Sequence, residues 1–194
     1  MTSKLIDDKR QKILLAAGAV VADVGLQGLS MQKLAKEAGV AAGTIYRYFD
    51  DKEHLIKELR LHVAQSIADV VQKDVDESLP LKVRYRQMWL NIWNLVGSDI
   101  AMLKNRIQYD STPIANCSTS QQDEERGMFN EVFAFFAQGK EQGIFKQLDN
   151  ELLSALSLET SVTLARKHTF GQYQLSDDAI EAAINASWDA IINH

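Results

Sequence analysis

The chain has 194 residues, of which 46% are hydrophobic and 24% charged, so it can bury a sizeable core and is not expected to be disordered. Its net charge of −5 is unevenly spread: residues 1–60 hold 10 Lys and Arg against 8 Asp and Glu, and the remainder holds 11 against 18. A slightly basic N-terminal end on an acidic body suits a protein that presents one end to phosphate, and the small excess predicts weak sequence-independent binding.

The first helix is predicted between a cap at Asp7 or Asp8 and a stop at Gly25. Its apolar residues recur at helical spacing, which indicates one face packed against the helices that follow. This stripe consists of Ile13, Ala17, Val20 and Val24, with Leu14 and Val21 beside it.

Residues 30–52, SMQKLAKEAGVAAGTIYRYFDDK, predict two short helices joined by a tight turn. The hydroxyl of Ser30 can cap the first helix, because it can accept a hydrogen bond from a free amide of the first turn. Gly39 ends that helix, since glycine takes a left-handed conformation without steric cost. The second helix is predicted over residues 41–48, and Asp51 can cap the helix after it.

The exposed face expected for this second helix differs from an ordinary solvated face. Thr44, Arg47 and Tyr48 share it, and no run of Glu and Lys covers it. Residues 41–43, Ala-Ala-Gly, leave its N-terminal end almost bare, as a helix that enters a DNA major groove by that end requires. The pattern favours a DNA-reading helix-turn-helix, and two helices packed in a bundle are the alternative.

The stretch from residue 25 to residue 55 closely resembles the DNA-binding end of the TetR family of bacterial transcriptional regulators. Beyond it, the likeness lies in length and helix count only. The resemblance implies an all-helical homodimer that binds a double-stranded DNA operator and releases it when a small molecule enters the C-terminal domain. The matching residues are Gly25, Leu29-Ser30-Met31, Leu34-Ala35, Ala38-Gly39-Val40, Gly43-Thr44-Ile45-Tyr46, Tyr48-Phe49 and Lys52-Glu53-His54-Leu55.

The resemblance also implies which residues contact DNA. Many relatives carry a polar or basic residue where this chain has Ala41 and Ala42, so direct readout is expected to rest on few side chains. Two alternatives remain: Tyr46 is half buried, or Arg47 pairs with a neighbouring aspartate, Asp50 or Asp51. The implied DNA contacts are Ser30, Met31, Gln32, Ala41, Ala42, Gly43, Thr44, Tyr46, Arg47, Tyr48 and Lys52.

The rest of the chain reads as a helical body. A long helix over residues 52–73 is a connecting rod, and Pro80 precedes the next helix. We therefore predict an all-α fold of about nine helices, with a three-helix helix-turn-helix head and a C-terminal helical bundle. The DNA-binding domain is residues 1–51, and the ligand-binding and dimerisation domain is residues 52–194. The later helices are predicted over residues 81–96, 99–109, 120–143, 149–170 and 176–191.

An aromatic-rich set in the body is a candidate ligand pocket, because buried Trp and Tyr bring polar atoms that need partners. An ordinary bundle core is the alternative. The default effector is an apolar or aromatic molecule, although a buried acid would equally select a cation. The candidate residues are Tyr85, Met88, Trp89, Trp93, Met102, Phe129, Phe133 and Phe136, with Arg106 and Tyr109 as polar groups.

The last two helices are the dimer surface implied by the resemblance, since two helices from each subunit make a four-helix bundle. Core packing within one subunit is the alternative for the apolar residues of these helices. The candidate interface residues are Leu153, Leu156, Ile184, Trp188 and Ile191.

Other functions find little support in the sequence. The four histidines lack metal-ligand spacing, and no nucleophile elbow or phosphate-cradling loop occurs, so we expect no catalytic site, metal or cofactor. Cys117, the only cysteine, excludes an intramolecular disulfide, and its polar loop favours an incidental thiol over a redox sensor. No apolar run has the length of a membrane span and no signal peptide is visible, so we expect a cytoplasmic protein.

A repressor is the leading hypothesis for the function. The alternatives are an activator of the same fold and a metabolite-binding body with weak DNA binding.

Overall fold

In a computed structural model, the structure describes residues 2–99, 104–106, 108 and 119–194, with side chains from residue 8 and, in the last range, from residue 122. Among these residues, an isolated bridge between Phe145 and Ile192 is the only β-structure, and the all-α class is confirmed. Residues 104–106 are also helical. The ten helices are α1 Thr2–Gly28, α2 Met31–Ala38, α3 Ala42–Ile45, α4 Lys52–Val71, α5 Leu81–Ser98, α6 Thr119–Met128, α7 Asn130–Glu141, α8 Asn150–Leu156, α9 Leu158–Thr169 and α10 Asp177–Asp189.

The chain divides into two compact units. Unit 1 consists of Met1–Ser66 and Ile100–Glu125, and unit 2 of Ile67–Asp99 and Arg126–His194. Helices α4 and α6 therefore contribute residues to both units. The domain boundary predicted after residue 51 stays a prediction.

Unit 1 packs α1, α2 and α3 with the first part of α4. Gly25 has φ 73° and ψ 170°, so the helical conformation is interrupted at the residue where the sequence predicted a stop, and α1 resumes to Gly28. The side-chain amide of Asn105 donates to the carbonyl of Gly18 over 3.0 Å and holds the 104–106 segment against α1. The buried apolar residues include Ile13, Leu14, Ala17, Leu34, Ala38, Ile45, Phe49, Leu55 and Leu59.

Unit 2 has an aromatic core. The Tyr85 hydroxyl donates to Ser187 Oγ over 2.7 Å, which joins α5 to α10. Gly139 lacks a side chain where the Phe145 ring lies against α7, and a Cβ there would overlap the ring. Position 139 therefore requires glycine because the Phe145 ring approaches closely, and not because the chain turns there. The buried core comprises Val71, Leu81, Tyr85, Met88, Trp89, Ile92, Val132, Phe135, Phe136, Phe145, Leu153, Leu158, Ile184, Trp188 and Ile191.

The helix predicted over residues 120–143 is two helices, α6 and α7, and the prediction of one helix is wrong. The side chain of Gln72 bonds to both sides of the break: its amide nitrogen donates to the Met128 carbonyl over 3.0 Å, and its oxygen accepts from the amide of Glu131 over 3.0 Å. A broken helix leaves backbone groups without hydrogen-bond partners. A side chain from another helix that bonds to these groups therefore stabilises the break.

The helix predicted over residues 149–170 is also divided, into α8 and α9. Ser157 separates them with φ −124° and ψ −83°, and its buried hydroxyl donates to the Leu153 carbonyl over 2.6 Å. These two breaks account for helices beyond the nine predicted, while most of the helix predicted over residues 99–109 lies outside the described residues. No helix in the described part of the chain is both long enough and apolar enough to cross a membrane.

Replacing Gln72 with alanine tests the bridge between α4 and the α6–α7 break. The variant leaves the Met128 carbonyl and the Glu131 amide without their partner, so we expect the free energy of unfolding to fall by about 1–2 kcal/mol in urea titrations. Gln172→Ala is the matched control, because Gln172 is exposed and its side chain makes no hydrogen bond with described residues. Equal stability of the two variants would contradict the assignment.

Candidate nucleic-acid interface

Helix α2 is closed at both ends by the residues that the sequence predicted. Ser30 is extended, and its hydroxyl accepts a hydrogen bond from the amide of Lys33 over 3.2 Å. Gly39 is left-handed, with φ 64° and ψ 38°, and the amide of Val40 donates to the Ala35 carbonyl over 3.0 Å. This cap turns the chain sharply into α3.

Helix α3 is shorter than the predicted span of residues 41–48, which is a correction. It covers Ala42–Ile45, and a turn over residues 46–48 follows. In this turn the amide of Arg47 donates to the Thr44 carbonyl over 3.2 Å, and that of Tyr48 to the Ile45 carbonyl over 2.9 Å. The backbone thus tightens where the helix was expected to continue, so the side chains of residues 46–48 project from a turn.

The implied DNA contacts lie on the surface of unit 1. We name this set the reading surface: residues 30–32, 41–44, 46–48 and 52. Tyr46 is 53% exposed, so more than its hydroxyl reaches the surface. A Cβ built on Gly43 meets no atom within 4 Å, which leaves the backbone open to a partner surface. Among the set, Met31, Thr44, Tyr48 and Lys52 are partly buried and the others are exposed.

Arg47 is an exposed cation on this surface and forms no ion pair with any residue that the structure describes. The two aspartates proposed as its alternative partners face His54 instead. Asp50 Oδ2 lies 3.3 Å from His54 Nδ1, and Asp51 Oδ1 accepts from the His54 amide over 2.7 Å. The guanidinium of Arg47 is therefore available to another molecule.

Asp51 caps α4, as predicted, and Lys52 is the first residue of that helix. The helix dipole attracts an anion at this end, but a phosphate there would also meet the Asp51 carboxylate. Attraction at this point must therefore come from the Lys52 ammonium rather than from the helix end alone.

The ring of Phe49 lies beneath this surface and is fully buried. The guanidinium of Arg10 is 5.5 Å from its centroid, and the His54 ring meets it edge-on at 5.9 Å. Arg10 Nη2 donates to the Glu58 carboxylate, and Glu58 lies 3.8 Å from His54 Nε2. The sequence analysis did not connect Arg10 or Glu58 to this surface; the four-residue spacing of His54 and Glu58 on a predicted helix was the available signal.

The aromatic residues proposed for a ligand pocket are packed into the core of unit 2. Hydrogen bonds within the protein serve the polar atoms of two of them: Tyr85 bonds to Ser187, and Trp89 Nε1 donates to Thr160 Oγ1 over 3.3 Å. Burial raises the pKa of Tyr85 to about 12, although its hydrogen bond to Ser187 acts in the opposite direction. The pocket stays a prediction. Tyr85, Met88, Trp89 and Phe136 are buried, Trp93, Phe129 and Phe133 are partly buried, and Met102 and Tyr109 lie outside the described residues.

Arg106, proposed as a polar group of that pocket, is in unit 1 and bonds to Glu125. Glu125 also accepts from Arg60 Nε over 2.9 Å. Burial alone would raise the pKa of Glu125, but the positive charges of Arg106 and Arg60 outweigh it and hold the pKa below its usual value. The carboxylate therefore joins α6 to α4 and to the 104–106 segment.

Four of the five residues proposed for the dimer interface lie in the core of their own subunit, as the alternative stated. Leu153, Ile184, Trp188 and Ile191 are at most 7% exposed, and only Leu156, at 40%, reaches the surface. A dimer contact on these helices must therefore use their exposed faces. Cys117 lies outside the described residues, and the residues that are described contain no cluster of His, Cys, Asp or Glu suited to a metal.

Comparisons with known proteins match both parts of the chain. A family model described as bacterial regulatory proteins, tetR family, matches residues 13–59, and one described as tetracyclin repressor-like, C-terminal domain, matches residues 80–192. A helix-turn-helix transcriptional regulator of Haemophilus influenzae is 36% identical over 192 residues, which is 95% of this chain and 96% of the relative.

Solved structures agree with these matches. A TetR-family protein from Vibrio parahaemolyticus is 62% identical with a TM-score of 0.88, and the match covers 96% of this chain and 100% of the other. A TetR-family transcriptional regulator from Haemophilus influenzae is 34% identical with a TM-score of 0.81, over 96% and 98% of the two chains.

Glu125 makes the stability of the protein dependent on pH. Because its folded-state pKa is lowered, its contribution is complete above the ordinary value of 4.5 and is lost as the pH falls through the folded-state pKa. We expect Glu125→Gln to lower the free energy of unfolding by about 1–3 kcal/mol at pH 7 and to flatten its decline below pH 4.5, measured by urea unfolding across that range. The control is Glu124→Gln, an exposed neighbour that pairs with no described residue. Parallel declines in both variants would refute the role.

Proposed function

The chain belongs to the TetR family of bacterial transcriptional regulators, and we propose that its reading surface contacts an operator duplex from which a small molecule releases it. The observation that carries the proposal is the turn over residues 46–48, which presents an unpaired Arg47 beside the exposed Tyr46. Helix α2, capped by Ser30 and Gly39, precedes this turn and the short helix α3. A fixed surface with a free guanidinium suits recognition of base edges.

The side chains of the reading surface divide into two roles. The Arg47 guanidinium can donate two hydrogen bonds to one guanine, which makes it the main candidate for base readout, with Thr44 beside it. Ser30 and Gln32 at the start of α2, and Lys52 at the start of α4, lie where phosphate contacts would fix the register. Exposed methyl groups at residues 41 and 42 can pack against thymine methyl groups.

We further propose that the protein acts as a homodimer through α9 and α10. The exposed positions of these helices, such as Thr163, Ala182 and Ala186, take the place of the buried residues first considered. Small side chains let two helices approach closely. A two-fold dimer would place two reading surfaces about 34–36 Å apart on one side of a pseudo-palindrome.

Release by a ligand would act through α4, since this helix contributes residues to both units. The C-terminal end of α4 is held by side chains of unit 2. Asn91 of α5 donates to the carbonyls of Val71 and Lys73 over 3.0 and 2.9 Å, and Gln72 bonds to both sides of the α6–α7 break. A ligand that shifts α5 or α7 would therefore displace the end of α4.

Selection from a random duplex library by the unmodified protein tests the proposal. We expect enrichment of a pseudo-palindrome and, in analytical ultracentrifugation, two subunits for each bound duplex. A footprint upstream of the protein's own coding region would identify a natural operator. Metabolites can then be screened for release of the selected duplex. Failure to enrich any sequence would refute DNA reading, whereas enrichment without a releasing compound would leave regulation by a ligand unsupported.

Replacing Arg47 with alanine removes the proposed base contact. We expect binding of the selected duplex to weaken by about 1–3 kcal/mol in fluorescence anisotropy titrations. Arg47→Lys keeps the charge but loses the two-pronged contact, so it should relax sequence preference more than it weakens binding to unrelated duplexes. Arg126→Ala, on α6, removes the same charge from an exposed side chain that is not part of the reading surface, and it should leave affinity unchanged. Equal affinity of the Arg47→Ala variant and the unmodified protein would remove Arg47 from the interface.

A further inference from the structure

Phe49 is the anchor on which the turn over residues 46–48 depends. It is fully buried, and its amide donates to the Ile45 carbonyl over 3.0 Å. Ile45, at the other end of the turn, is also fully buried. Because the exposed Tyr46 and Arg47 and the partly buried Tyr48 lie between two buried residues, the backbone of this turn can shift only if one of the anchors shifts.

Polar side chains from α1 and α4 surround the ring of Phe49. Arg10 of α1 places its guanidinium over the ring, and Glu58 of α4 binds that guanidinium. His54, one turn before Glu58 on α4, meets the ring edge-on and lies close to the Glu58 carboxylate.

We infer that Arg10 and Glu58 are positioning residues for DNA recognition: their ion pair fixes Phe49, and through Phe49 the turn that carries Arg47. This inference rests on the proposed function, since it needs the turn to contact DNA. A cation held over an aromatic face is attracted by the ring, and a carboxylate that holds the cation there makes the contact directional. The pair spans 48 residues of sequence, so it fixes α1 to α4 beside the turn.

A direct phosphate contact by Arg10 is the competing explanation, because its side chain is 38% exposed. The two explanations predict different charge effects. If Arg10 serves only as a positive charge near DNA, removal of the Glu58 carboxylate should strengthen binding, since one repulsive charge is lost. If the pair positions Phe49, the same change should weaken binding.

Glu58→Gln and Glu53→Gln form a matched pair that separates these outcomes. Both variants remove one negative charge from α4, but Glu53 is exposed and contacts neither Arg10 nor Phe49. With the duplex selected from the random library by the unmodified protein, we expect Glu58→Gln to bind about fivefold more weakly. Glu53→Gln should bind equally well or more tightly. Tighter binding by both variants overturns the inference.

Arg10→Gln completes the test with a salt titration. A positioning residue leaves the dependence of log Kd on log salt unchanged, whereas loss of a phosphate contact reduces that slope by about one. We expect weaker binding to the selected duplex with an unchanged slope and little change for an unrelated duplex. The double variant with Glu58→Gln should be no weaker than the weaker single variant, because both act through one contact.

Folding is monitored by far-UV circular dichroism and urea unfolding. Arg10→Lys is the conservative second variant, since it keeps the charge opposite Glu58 but lacks the planar face, and it should bind with intermediate affinity. A slope reduced by about one, or additive losses in the double variant, would overturn the inference while leaving the proposed function intact. If the unmodified protein selects no duplex, both are overturned.

Discussion

The burial of Ile45 and Phe49 is the constraint on which the reading surface depends. Both side chains are fully enclosed in unit 1, and only three residues separate them. The chain must therefore cross the surface between them, in a tight turn closed by bonds to the carbonyls of Thr44 and Ile45. Hydrophobic burial at the two ends thus determines which side chains are displayed, and Arg47 projects outward without any need for a local partner.

In unit 2, helices end where polar side chains form hydrogen bonds with free backbone groups. The chain breaks between α6 and α7 because Gln72 supplies the bonds that a continuous helix would have made for itself. Asn91 similarly serves two carbonyls at the end of α4, and Ser157 bonds to the last turn of α8. Ser157 is fully buried, whereas Gln72 and Asn91 are partly buried. A change in the packing of α5 or α7 would alter these hydrogen bonds as well as apolar contacts.

The sequence predicted helix caps that neighbouring residues form, but it missed the early end of α3 and the two helix breaks at residues 129 and 157. The caps at Ser30, Gly39 and Asp51 involve groups within a few residues, so local pattern was sufficient. The division of the helix over residues 120–143 depends on Gln72, more than fifty residues earlier, and periodicity carries no sign of it. Apolar spacing likewise predicts that Trp188 is buried, but it does not indicate whether the same subunit or a second one covers it. A core face and an interface face of a helix have the same composition. The predicted contacts of the reading surface are exposed or partly buried, and for residues 46–48 this follows from the turn between two buried anchors rather than from helix periodicity.

From its charge alone, this protein is expected to have little affinity for DNA, so the proposed recognition depends on geometry. The first sixty residues carry only a small positive excess, and acids lie close to the proposed phosphate contacts, as Asp51 does beside Lys52. Arg10, whose guanidinium lies over the Phe49 ring, pairs with Glu58, and Arg47 is the exposed cation of the reading surface. A surface with few unpaired charges binds unrelated duplexes weakly, so discrimination depends on whether a few side chains reach the correct base edges. Small displacements of the turn then change specificity more than they change general affinity. Under the proposed function, the buried position of Phe49 therefore contributes to recognition as well as to stability.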